Sequence, residues 1–87
     1  MINVITIQQV KLQLGVICKQ KRQSYELSQE ELSEALELSR YTIQKFENGK
    51  NATLDTVLKI ANHFDLLENF YQSLKELENT NNIDSLY

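Results

Sequence analysis

The chain contains no proline and only two glycines in 87 residues. So few turn formers exclude a fold of many short strands joined by tight turns. No apolar run approaches the ~18 residues that a membrane span requires. The opening MINVITI has no basic flank and no small-residue cleavage site, so it does not read as a secretory signal. Cys18 is the one cysteine, which excludes an internal disulfide and fits a reducing cytoplasm. On the core stripe of a helix it reads as an inert buried thiol. His63 is the one histidine and has no second ligand at metal spacing, so it reads as a surface or helix-end residue. No glycine-rich phosphate loop, zinc motif or nucleophile elbow is present. The carboxylates Glu30, Glu31 and Glu34 read as a solvated face rather than an acid–base pair. These absences leave no expectation of an enzyme, a cofactor or a metal.

What remains is a chain of one small domain, with an apolar fraction of 41%, enough for a single core. The net charge of −3 argues against a polyanionic partner until its distribution is considered. Residues 1–50 carry seven basic groups (Lys11, Lys19, Lys21, Arg22, Arg40, Lys45, Lys50) against six acidic ones. Residues 51–87 carry Lys59 and Lys75 against six acids, so the halves are +1 and −4. Phosphate contact depends on a local patch rather than on the total.

Helical signals recur along the chain. Residues 1–6 alternate loosely and form a short strand or a disordered arm. Thr6 with Gln9 makes a capping box for a helix over 7–23, with Val10, Leu14, Ile17 and Cys18 as its apolar stripe. Gly15 is unfavourable within it by ~1 kcal/mol, so a close neighbour is expected there. Ser28 with Glu31 caps a second helix over 29–36, with Leu32 and Leu36 inward. Ser39 caps a third over 40–48, with Ile43 and Phe46 inward; Gly49 supplies the left-handed residue that ends it. Thr53 caps a fourth, carrying Leu54, Val57, Leu58, Ala61 and Phe64. Asp65 with Glu68 makes a further capping box for a fifth, along which Leu67, Phe70, Tyr71, Leu74 and Leu77 follow. Residues 79–82 break that pattern, leaving 79–87 as a flexible tail after a domain spanning 7–78. The expectation is an all-α fold of five helices around one core. The second and third helices, joined by a tight turn, are spaced as a helix-turn-helix that places the later helix in the major groove of DNA.

Leu14-Gly15, Arg22, Leu27-Ser28-Gln29-Glu30-Glu31-Leu32, Ser39, Ile43 and Phe46-Glu47-Asn48-Gly49-Lys50 occur in order. In this the chain resembles the lambda-repressor-like (Xre-type) helix-turn-helix family over residues 12–66. Two positions depart from the family pattern. Ser33 stands where a small Ala is usual, and Glu37 where Gly is usual; a left-handed Glu37 implies strain of about 1 kcal/mol or somewhat more. Residues 51–60 and 66–70 are further similar to the HipB-like subgroup. Its members are commonly dimeric antitoxins that repress their own operon and contact a kinase-type toxin or its accessory subunit.

The resemblance places Arg40, Tyr41 and Lys45 at base-reading positions. Arg40 has the geometry to donate two hydrogen bonds to guanine O6 and N7. Tyr41 suits a thymine methyl or a phosphate, and Gln44 or Lys45, one turn on, a further base pair. Gln29, Thr42, Asn48 and Lys50 are candidates for phosphate contacts. The resemblance also implies an ion pair between Arg22 and Glu47, which assigns both to architecture. Ile60, Leu67, Phe70, Tyr71, Leu74 and Leu77 exceed what so small a domain covers, which points to a twofold homodimer on a palindromic operator. The alternatives are a stand-alone phage or chromosomal regulator without a toxin partner, and a protein-interaction adaptor without DNA binding.

Overall fold

A computed structural model describes residues 4–85, with side chains described through residue 79. Five helices follow in order: α1 (Ile7–Ser24), α2 (Gln29–Leu36), α3 (Arg40–Glu47), α4 (Leu54–His63) and α5 (Leu67–Ser85). No strand occurs among the described residues. The fold is all-α. Residues 4–6 are irregular; the alternation expected at residue 2 and the apolar chain end at 86–87 lie outside the described residues.

Local chemistry sets each helix start. The Thr6 and Ser28 hydroxyls accept from the third helical N–H while Gln9 and Glu31 reach back to the cap N–H, so both capping boxes are complete. Ser39 and Thr53 cap α3 and α4 through single hydroxyl–N–H bonds. α4 and α5 are not joined as the sequence suggests. Asp65 does not cap α5; it sits at φ +60° and closes α4, with the Leu66 N–H donating to the Ala61 carbonyl at 2.7 Å. The same closure recurs at Glu26-Leu27, Glu37-Leu38 and Gly49-Lys50, each with a left-handed residue followed by an N–H that reaches back five residues. In three of the four the residue that follows is a leucine (Leu27, Leu38, Leu66), half-buried against the core. Burial of that leucine offsets the strain of an acidic residue in left-handed space.

The core consists of Cys18, Leu32, Ile43, Phe46, Ile60 and Phe64, with Leu14, Leu36 and Val57 packed against it. It comes from α1–α4 and the turns between them, not from all five helices. α5 contributes no buried residue among those described. Nor does it stop near residue 78: it runs on to Ser85 through Asn79-Thr80-Asn81-Asn82. Asparagine lowers helix propensity by only a few tenths of a kcal/mol per residue, and no glycine or proline stands there to stop the helix. Several apolar residues expected inward lie outward. Val10 is 49% and Leu54 72% exposed, whereas Ile60, expected at an interface, is 4% exposed and belongs to the core. The fourth-helix stripe therefore turns inward through Ile60, Ala61 and Phe64 and leaves Leu54 on the surface.

Gly15 answers a close approach. A Cβ there would stand 2.6 Å from the Glu47 carbonyl oxygen and 2.7 Å from that of Phe46, so α1 lies directly against the backbone at the end of α3. Backbone atoms cannot yield as a flexible side chain can. Gly15→Ala is expected to cost about 1–3 kcal/mol, seen as a lowered melting temperature. Glu37→Gly should move the other way by about 1 kcal/mol, roughly 4–8 °C for a domain of this size. An unchanged melting temperature in both variants would contradict this packing.

Candidate nucleic-acid interface

α3 has two unlike faces because its apolar residues recur at one helical spacing. Ile43 is fully buried and Phe46 is 5% exposed. Arg40, Tyr41 and Gln44 project to solvent from the opposite side, and Lys45 is half-buried. The Lys45 ammonium lies 5.1 Å from the centroid of the Tyr41 ring, a cation–π contact that limits the motion of both side chains. Arg40 stands in the first turn, directly after the Ser39 cap, and is exposed among the described residues.

α2 holds α3 through a tight turn. Glu37 at φ +57° supplies the left-handed residue, and the Leu38 N–H donates to the Ser33 carbonyl at 2.8 Å. Ser33 is 4% exposed and its hydroxyl donates to the Glu30 carbonyl at 2.7 Å. A serine at this contact between helices therefore leaves no buried polar atom unpaired.

The far end of α3 is anchored by a buried ion pair. Arg22 Nε donates to Glu47 Oε2 at 2.7 Å and Nη2 to Oε1 at 3.0 Å, while Nη1 donates to the Leu27 carbonyl at 2.9 Å. The Glu47 side chain is 3% exposed. It accepts two further bonds, from Gln29 Nε2 at 3.1 Å and from the Cys18 thiol at 3.4 Å. Burial pushes the Glu47 carboxyl up, but the bonds from Arg22 and Gln29 and the charge of Arg22 outweigh it, leaving the group below its ordinary range. The hydrogen bond to Glu47, opposed by burial, drives the Arg22 guanidinium further up. Burial, and then the neighbouring Glu47 charge, push the Cys18 thiol up to about 12, so it stays protonated and unreactive.

The phosphate candidates separate. The Gln29 amide, expected at a phosphate, donates one N–H to Glu47, because the start of α2 faces the end of α3; its second N–H is a further donor. The Thr42 hydroxyl lies 2.8 Å from that of Ser39, so it is shared with the helix cap. Asn48 and Lys50 are exposed at the opposite end of α3. There the structure adds Gln8, Lys11 and Asn51, which were not read as functional from sequence. Gln8, Tyr41, Gln44, Lys45, Lys50 and Asn51 are among the residues lining an open concavity of about 630 Å³. Gln8 Nε2 donates to the Gly49 carbonyl at 3.1 Å, and Lys11 Nζ donates to Asn51 Oδ1. The i, i+3 spacing of Gln8 and Lys11 was the available signal for a polar face on the first helix.

Along α5, Tyr71, Leu74 and Leu77 are each more than half exposed, Leu67 is 39% exposed, and Phe70 is half-buried. No group of side chains among the described residues is arranged to hold a metal ion. His63 is half-buried and lies edge-on to Phe64. No helix among the described residues is long and apolar enough to cross a membrane.

A capped two-helix unit with a polar, outward-facing second helix defines a helix-turn-helix DNA-binding domain. The chain belongs to the lambda-repressor-like (Xre-type) helix-turn-helix family: the helix-turn-helix family model matches residues 19–68, more than half of its length. It is thus a DNA-binding regulator by family. A search of the curated proteins found no match.

Removing one partner of the buried pair leaves the other charge unpaired, at a cost of ~3–5 kcal/mol. Arg22→Ala is therefore expected to lose helical circular dichroism together with DNA binding. A folded but non-binding Arg22→Ala protein would instead assign Arg22 to the DNA. Because Glu47 is depressed in the folded state, its stabilisation is complete above the ordinary carboxylate value of about 4.3 and is lost as pH falls through the lower folded value. Urea melts should thus give constant stability from about pH 7 to 5 and a decline below about pH 4. Constancy down to pH 3 would rule this linkage out.

Proposed function

We propose that the protein is a homodimeric, sequence-specific repressor that reads a palindromic operator with α3. The observation that carries this is the group of exposed Arg40, Tyr41 and Gln44 and half-buried Lys45 on the outer face of a helix whose inner face is fully packed. Arg40 donates to a guanine, and Tyr41, Gln44 and Lys45 meet the adjacent base pairs. Asn48 and Lys50 contact the backbone and set the register.

The apolar stripe of α5, exposed at Leu67, Tyr71, Leu74 and Leu77 and half-buried at Phe70, is the surface on which a second copy packs, with Leu54 and Leu58 of α4 beside it. Such a twofold dimer sets two recognition helices ~34 Å apart, one turn of DNA. The similarity of residues 51–60 and 66–70 to HipB-like proteins extends the reading to an autoregulating antitoxin whose partner is a HipA-like kinase toxin or its accessory subunit. A second apolar surface at the start of α1 (Val4, Ile5, Ile7, Val10) favours a partner besides the second copy. A stand-alone regulator shares every feature of α3 and differs only in lacking that partner.

Footprinting is expected to show two symmetric half-sites. A doubled Arg40→Ala, Lys45→Ala variant should keep its circular dichroism and melting temperature and lose discrimination at the bases read. Each lost bidentate contact is worth about 1–3 kcal/mol, or roughly 5- to 150-fold. Unchanged affinity and specificity in that variant would defeat the reading. Sedimentation should give a dimer for the wild type and a monomer for a Leu74→Asp, Leu77→Asp variant; a monomeric wild type at tens of micromolar would remove the dimer. Co-expression with a neighbouring kinase-like gene should yield a complex, and purification of the chain alone would leave the stand-alone regulator.

A further inference from the structure

The polar concavity at the end of α3 extends beyond the base-reading residues Tyr41, Gln44 and Lys45 that share its lining, and its composition is one-sided. Two lysines, Lys45 and Lys50, line it together with amide side chains and one tyrosine, and none of its lining residues is acidic. A third lysine adjoins it: Lys11 of α1 donates to Asn51, which forms part of the lining. In a chain of net charge −3, three ammonium groups around an acid-free hollow are a local exception rather than a reflection of composition. The hollow is also built. Gln8 fixes the first turn of α1 to the Gly49 carbonyl, and a Cβ on Gly49 would stand 2.6 Å from the Leu12 side chain, so α1 lies closely on the turn that ends α3.

The position of the hollow selects its ligand. α3 has eight residues, hence a length of ~12 Å, which is about the width of the major groove. With the Arg40 end among the bases, the Lys50 end reaches the groove wall, where sugar and phosphate stand. Ammonium and amide donors without a carboxylate match a phosphate diester, whose non-bridging oxygens accept only.

We infer that the opening turns of α1 are a second DNA-contacting element: Lys11 and Gln8, with Lys50 and Asn51, hold a backbone phosphate flanking the bases read by α3. This rests on the reading of α3 as the recognition helix and extends its footprint to a helix outside the two-helix motif. Lys11 gives up its bond to the neutral Asn51 for a charged acceptor, and the Asn51 amide turns to the same phosphate.

The test is the salt dependence of binding to a duplex selected from a random pool, measured for the wild type, Lys11→Gln, Arg40→Ala and Lys19→Gln. Lys19 is an exposed α1 lysine that does not line the hollow, so it controls for net charge. Lys11→Gln is expected to flatten the slope of log K against log salt by about 0.9 and to weaken all sequences alike. Lys19→Gln should leave the slope within error, and Lys11→Arg should restore it. Phosphate ethylation interference on the wild type provides an independent readout: one flanking phosphate should block binding, and that block should vanish in Lys11→Gln. An unchanged slope in Lys11→Gln, or an equal change in Lys19→Gln, overturns the inference while Arg40-dependent sequence preference stands. A wild type that captures no duplex overturns both.

Discussion

One carboxylate organises the structure. Glu47, at the last position of α3, accepts from Arg22 of α1, Gln29 of α2 and Cys18 of α1. Three helices therefore converge on two oxygen atoms that are almost wholly removed from water. Burying a charge is costly, and an ion pair offsets that cost only when its remaining bonding capacity is filled. Here it is filled: the third guanidinium contact goes to the Leu27 carbonyl, and no described buried side-chain nitrogen or oxygen lacks a partner. What such a cluster supplies is geometry. An apolar contact tolerates sliding, whereas a bidentate pair fixes both distance and angle.

That fixity bears on function because α3 is short. A helix of eight residues has no independent stability in water and takes its orientation from its neighbours. Its inner face is held by packing of Ile43 and Phe46 and its last turn by Arg22 and the close approach of Gly15. The first turn is then the free end, and Arg40 stands on it. Rigid at one end and exposed at the other, α3 has a fixed backbone from which Arg40 projects to solvent. α5 follows the opposite logic. Among its described residues it adds nothing buried and carries a long apolar stripe.

Much of this was legible in residue order, and what was not has identifiable causes. The caps at Thr6, Ser28, Ser39 and Thr53 depend on bonds spanning three residues, so local sequence carries them. Asp65 and Glu68 mimic the same pattern, yet Asp65 ends a helix instead. The better signal was the leucine that follows it, as at Glu26-Leu27 and Glu37-Leu38. Gly15 announced a close neighbour without saying which. Only the assembled fold shows that this neighbour is the backbone of Glu47, and that Gln29 donates to the same carboxylate. Ile60 and Leu54 share an apolar helix but face opposite ways, a choice made by tertiary packing that periodicity alone does not resolve. Lys11 and Asn51, forty residues apart, meet only because α1 extends over the turn after α3.

The chain has two arginines, Arg22 and Arg40, and they embody the two ends of α3. Side-chain Nε–Hε resonances of the arginine-labelled protein therefore test the central claim directly. On titration with a selected duplex, the Arg40 resonance should shift and slow its exchange with water, while that of Arg22, already locked to Glu47, stays in place. A bound complex in which Arg40 is unmoved, or in which Arg22 shifts instead, would contradict the account.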